Sequence, residues 1–218
     1  GLNIGDEYLG LKPPLSPWRD THLRLKGASV QCLQGSFLGD WYWATRELPK
    51  VHWKVTPDRT FDQTALVLPT GPADDLPACT LFFVNAINQA KNRLWIASPY
   101  LVPDESIRTA LKLAAIRGVD VRILLPSRPD HYMVYFCAFS YYKELQAAGV
   151  KLFRYQPGFM HQKVILIDDA IAGVGTVNLD NRSFYLNFEV SVFVTKQPFI
   201  KDVEAMLLED LKVCRLIH

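Results

Sequence analysis

No apolar stretch of this 218-residue chain approaches the roughly 20 residues that a membrane-spanning helix requires. Cysteine is sparse as well. Cys32, Cys79, Cys137 and Cys214 lie far apart, with no pair at zinc-ligand spacing and no dense disulfide framework, so free buried thiols are expected. Charge of one sign is also lacking, because 24 Lys and Arg face 22 Asp and Glu for a formal charge of +2. That balance gives no electrostatic footprint for nucleic acid, which lowers a nuclease reading without removing it. The first residue, Gly1, opens neither a signal peptide nor a chain with its start methionine, so the sequence reads as a piece of something longer. What is present is a folded-domain composition, 49% hydrophobic and 21% charged, at a length that supports one sizeable core or two small ones.

The pattern divides near residue 60. In residues 1–60, His22 to Lys26 alternates like a half-buried strand, Gly27 to Thr45 reads as a helix, and Pro49 to Gln63 as a linker. In residues 61–218 strands are predicted at Ala65 to Leu68, Leu94 to Ser98, Val119 to Leu125, Lys151 to Tyr155, Lys163 to Asp168 and Val190 to Thr195. Helices fall at Ala78 to Lys91, Ser106 to Arg117 and His131 to Ala148, with a closing helix at Phe199 to Leu211. Strands alternating with helices predict an α/β fold, a sheet flanked by helices on both faces. The helix from His131 carries Tyr132, Met133, Tyr135, Phe136, Phe139, Tyr141 and Tyr142 and is apolar nearly all round. Packing on the sheet is the expectation, with contact to lipid the alternative.

Chemistry concentrates between His161 and Glu189. His161, Lys163 and Ile165 share a face if the segment is a strand, setting an imidazole beside an ammonium. Lys163 can neutralise a phosphodiester, Asn178 can donate to its oxygens, and a histidine can attack phosphorus or protonate a leaving alkoxide. The Glu189 carboxylate could hold one ring nitrogen and fix the tautomer. Singly, each residue has a plainer account: Asp168-Asp169 as a hairpin turn, Gly173 and Gly175 as relief of crowding, Asn178 to Ser183 as a helix cap.

Together, His-x-Lys, four residues, Asp168, six residues and Gly175-Thr176-Val177-Asn178 resemble the HKD signature of the phospholipase D superfamily. Tyr155 to Met160, Asn181-Arg182-Ser183-Phe184, Asn187-Phe188-Glu189, Ser98-Pro99-Tyr100 and Trp18-Arg19-Asp20-Thr21-His22 narrow the likeness to bacterial cardiolipin synthases, over essentially the whole chain. Thr176 departs from the more usual serine and keeps the hydroxyl.

The resemblance implies a phospholipase D-like mixed sheet and a phosphatidyltransferase joining two phosphatidylglycerol molecules through a phosphohistidine, with no metal or other cofactor. His161 would be the acid and base, Lys163 and Asn178 the phosphate ligands with Thr176 in support, Glu189 the orienter of His161, and Asp168 the motif's third namesake, structural in the family. The family uses two motifs and this chain has one. Gly1 to Tyr8 resembles the tail of the first, with Asn3 in the place of Asn178 and Asp20 orienting the absent first histidine. On this reading residues 1–60 close a first repeat and 61–218 form a complete second one. The implied partners are phosphatidylglycerol and membrane lipid at a bacterial cell membrane, not nucleic acid, together with the missing N-terminal half or a second copy of the chain. The chain alone would then be inactive. A phosphodiesterase or nuclease and a noncatalytic lipid-binding module are the rival readings.

Overall fold

The computed structural model describes residues 4–13, 15–55 and 63–218. The chain begins with β1 (Trp18–Arg19), α1 (Val30–Thr45), β2 (Ala65–Thr70), α2 (Ala78–Gln89), β3 (Arg93–Ala97) and β4 (Leu101–Val102). It continues through α3 (Glu105–Ile116), β5 (Asp120–Pro126), α4 (Tyr132–Ala147), β6 (Lys151–Tyr155), β7 (Phe159–Met160) and β8 (Val164–Ile167). It ends with β9 (Ile171–Gly175), β10 (Leu179–Asp180), α5 (Asn181–Tyr185), β11 (Glu189–Val194), α6 (Phe199–Lys212) and β12 (Cys214–Leu216).

Eight strands make one mixed sheet in the order β12-β6-β5-β3-β8-β9-β11-β2, parallel from β6 through β3 and antiparallel elsewhere. The short strands form two separate parallel pairs, β1 with β7 and β4 with β10. Side-chain alternation sorts the sheet's two faces. Leu94, Ile96, Ile123, Leu125, Ile165 and Ile167 point to the layer of α2, α3 and α4. Trp95, Ala97, Leu124, Val164 and Leu166 point to α6, which answers with Ile200, Val203 and Leu207. Both faces are thus covered, as the strand-helix rhythm predicts, and β8 needs apolar residues on each side.

Local chemistry explains the start of α3. Asp104 caps α3 by accepting from the Ile107 amide at 2.8 Å, and Ile107, Ala110, Leu111 and Ala114 then recur on one buried face. At Gly173 a Cβ would lie 2.5 Å from the Phe193 ring, and at Gly175 2.6 Å from Ser191 Cα, so β9 and β11 approach closely only because both positions lack a side chain.

Several expectations shift. His22 to Lys26 does alternate in burial, and Leu23 and Leu25 rest against Val67, Val192 and Val194, yet the segment joins no ladder. The strand lies just before it, at β1, because backbone partners rather than side-chain alternation make a strand. The first helix starts at Val30, behind a turn, and none of its residues is buried. The buried residues of α4 are Ala138, Tyr142 and Leu145, whereas Tyr132, Met133, Phe136 and Phe139 are exposed. All four cysteines are free, but Cys79 alone is buried. Residues 56–62 of the expected linker fall outside the described part.

Asp168 turns the β8–β9 hairpin at φ 51°, and its carboxylate accepts from the amides of Lys91, Asn92 and Arg93 at 2.8 to 2.9 Å. Burial opposes its ionisation, but these bonds outweigh it and hold the carboxyl below its ordinary pKa. Asp168→Ala is expected to cost about 2–3 kcal/mol by chemical denaturation, since three amides lose their acceptor. A depressed carboxyl stabilises the fold above its unfolded pKa and ceases to as pH falls through the folded one. The gap between native and Asp168→Ala proteins should therefore narrow in acid. At Gly158, φ is 60° and a Cβ would sit 1.9 Å from the Pro17 carbonyl oxygen, against backbone that cannot yield. Gly158→Ala should lose about 2 kcal/mol or more, while Gly118→Ala, also left-handed but facing open space, should lose about 1. Equal midpoint shifts would contradict the steric account.

Candidate active site

The site is built where β1 meets β7. Trp18 pairs with Phe159 and Arg19 with Met160 in parallel register, and the next amide, that of His161, donates to the Arg19 carbonyl at 2.8 Å. The Trp18 ring stacks at a tilt 5.0 Å from the imidazole. One step on, Asp20 Oδ2 lies 3.0 Å from His161 Nδ1, and Asp20 Oδ1 accepts from the Thr21 amide at 2.9 Å. Burial works against the Asp20 charge, but the His161 and Thr21 hydrogen bonds prevail and keep it ionised well below the usual carboxylate range. An ionised carboxylate on Nδ1 keeps the proton there and leaves Nε2 for chemistry.

This reverses the expected pairing. The carboxylate on His161 is Asp20, not Glu189, whose Oε1 instead accepts from Asn187 Nδ2 at 3.1 Å. Glu189 opens β11 at the register of Thr70, whereas Asp20 follows the strand that lies alongside β7.

Lys163 sits between β7 and β8, where residues 161 to 163 leave the strand, and its Nζ donates to the His161 carbonyl at 2.5 Å. Burial lowers its pKa to about 8, against the pull of the Asp20, Glu189, Asp130 and Asp180 carboxylates nearby. Asn178 follows β9; its amide is held by Ser183 Oγ at 3.0 Å, and its side-chain Oδ1 is buried without a partner. Such an orphan acceptor is costly unless a ligand donor meets it. The Thr176 hydroxyl accepts from the Val190 amide at 2.9 Å, so it ties the end of β9 to β11 beside Glu189.

Asp168 is not brought to His161. It closes the far end of β8, four strand steps or about 13 Å beyond Val164. Asn3 lies outside the described residues. Among the described residues no group of three His, Cys, Asp or Glu side chains could hold a metal.

Other residues of the site gave little local signal. Ser98 is buried; its Oγ donates to the Tyr100 carbonyl at 2.8 Å and receives the Leu179 amide at 3.0 Å, holding β10 next to Asn178. Tyr100 donates to Asp130 Oδ2 at 2.5 Å, and burial together with that carboxylate raises its pKa. The Ser98-Pro99-Tyr100 run marks this corner in the sequence, but nothing there names Asp130 as its partner.

Known proteins share the fold and much of the sequence. Residues 83–211 match the family described as cardiolipin synthase, PLD-like domain. The chain is 53% identical to cardiolipin synthase A of Pseudomonas syringae, with all of this chain and 45% of that protein aligned. It is 57% identical to cardiolipin synthase A of Pseudomonas aeruginosa, over 96% of this chain and 43% of that protein. The chain therefore spans a little under half the length of these relatives. Among solved structures, the phospholipase D family member Nuc from Salmonella typhimurium superposes with a TM-score of 0.58 at 20% identity, covering 72% of this chain and 99% of that one. Phosphatidylserine synthase of Haemophilus influenzae gives 0.57 at 13% identity, covering 71% and 40%. These two likenesses show a common fold, and the long alignments show descent: the chain belongs to the phospholipase D-like domain family of the cardiolipin synthases.

Proposed function

We propose that the complete polypeptide transfers the phosphatidyl group of one phosphatidylglycerol to the free hydroxyl of another, giving cardiolipin and glycerol. The observation that carries this is the His161 imidazole, held at Nδ1 by Asp20, with the Lys163 ammonium bound to the carbonyl of the same histidine. A nucleophilic histidine from the other motif displaces glycerol to form a phosphohistidine; His161 Nε2 protonates the departing glycerol oxygen. His161 then takes the proton of the incoming hydroxyl as the phosphorus–nitrogen bond breaks. Both histidines return to their starting state, so no redox partner is required.

In this reading residues 1–60 end the first repeat and residues 61–218 form the second, with Asp20 of one orienting His161 of the other. By the same exchange Glu189 would orient the other motif's histidine. Exposure of Tyr132, Met133 and Phe136 supports action at a bacterial membrane. These residues begin α4 immediately after Asp130, whose carboxylate meets Tyr100 at the site. Among the described residues no helix is long and apolar enough to cross a membrane.

Phosphatidylglycerol liposomes incubated with the complete polypeptide should yield cardiolipin by mass spectrometry, and none with His161→Ala or with this chain alone. Turnover by the isolated chain would replace the two-repeat scheme with a paired copy, and preferential cleavage of DNA would replace the lipid substrate. Because Lys163 loses its charge as pH rises through about 8, kcat/KM is expected to fall on that alkaline limb, and Lys163→Arg should remove the limb from the residual activity. A flat profile to pH 10 would show that the cation is not required.

A further inference from the structure

Asp20 and His161 lie 141 residues apart, and each is flanked by a residue bound to one and the same carboxylate. Arg19, beside Asp20, donates Nε and Nη2 to the two oxygens of Asp210, both at 2.9 Å. Gln162, beside His161 and fully buried, donates Nε2 to Asp210 Oδ2 at 2.8 Å. The network closes through Thr21, whose hydroxyl donates to Gln162 Oε1 at 2.6 Å, and through Arg19 Nη1, which donates to the Asp20 carbonyl at 2.5 Å. Asp210 belongs to the last turn of α6 and is only 6% exposed.

A buried ion pair is a weak source of stability, because desolvation cancels most of the attraction. Its directional bonds nevertheless fix positions, and here they fix two segments that lie 141 residues apart in the chain. We propose that Asp210 is a positioning residue for the Asp20–His161 pair, acting through Arg19 on one side and Gln162 on the other. It touches neither substrate nor imidazole; α6 thereby serves as the strut against which the two halves of the pair are registered. The inference deepens the function proposed above and rests on His161 acting in phosphatidyl transfer, but its geometric content does not.

The test uses the complete polypeptide with 15N-labelled histidine. The Nδ1 proton of His161, identified by its loss in His161→Gln, should disappear or move upfield in Asp20→Asn and equally in Asp210→Asn. It should persist in Lys212→Ala, which alters an exposed residue of the same helical turn. In turnover, Asp210→Asn should lower kcat by about 10- to 100-fold with KM little changed. Added to Asp20→Asn, it should lower kcat no further, since both changes release the same imidazole. Gln162→Ala, which keeps the Arg19–Asp210 pair, is the second variant if Asp210→Asn does not fold. It should weaken the resonance and kcat in the same direction. Retention of the resonance in both variants, or losses in kcat that multiply with Asp20→Asn, would overturn the proposal. If the unaltered polypeptide makes no cardiolipin, the substrate reading fails while the resonance still decides the role of Asp210.

Discussion

The hydrogen bond between Asp20 and His161 is the constraint on which the site depends, and it is a long-range one. A histidine at the mouth of a sheet is chemically undirected until something selects which ring nitrogen carries the proton. Here the selecting carboxylate arrives on a two-residue strand from far upstream, docked in parallel on β7 and continued by the amide of His161 itself. Gly158 permits that docking, Trp18 covers the ring, and the Asp210 network ties the flanking residues. The large sheet supplies Lys163 and Asn178 from neighbouring strand ends, whereas the imidazole is aimed by an added segment.

Much of this was legible in the sequence because periodicity and spacing are local. The central strands, three sheet-covering helices and α6 follow from apolar patterns long enough to sort, and the His161, Lys163 and Asn178 spacing marks the chemistry. What could not be read is pairing across distance. Glu189 stands closer in sequence to His161 than most acidic candidates, yet it opens β11 opposite Thr70 and bonds its neighbour Asn187, while Asp20 reaches the imidazole just after a strand too short to show alternation. Asp210 is one acidic residue among several on a surface-like helical pattern, and only the fold turns it toward Arg19 and Gln162.

Asp20 and Asp168 separate by role once burial and partners are counted. Asp20 places charge where an imidazole needs it; Asp168 spends its charge on three backbone amides and a left-handed turn. Thr176 likewise binds main chain. The HKD pattern therefore includes a residue of architecture, because the strand that follows His161 and Lys163 at one end is anchored by Asp168 at the other.

The sheet's outer strands carry a further consequence. β2, at one end of the strand order, includes Pro69, which has no amide to offer a neighbour, and β12, at the other end, is three residues long. Such borders are poor templates for lateral growth. Contacts made along either border of the sheet therefore rest on side-chain shape and polar pairing rather than on backbone ladders.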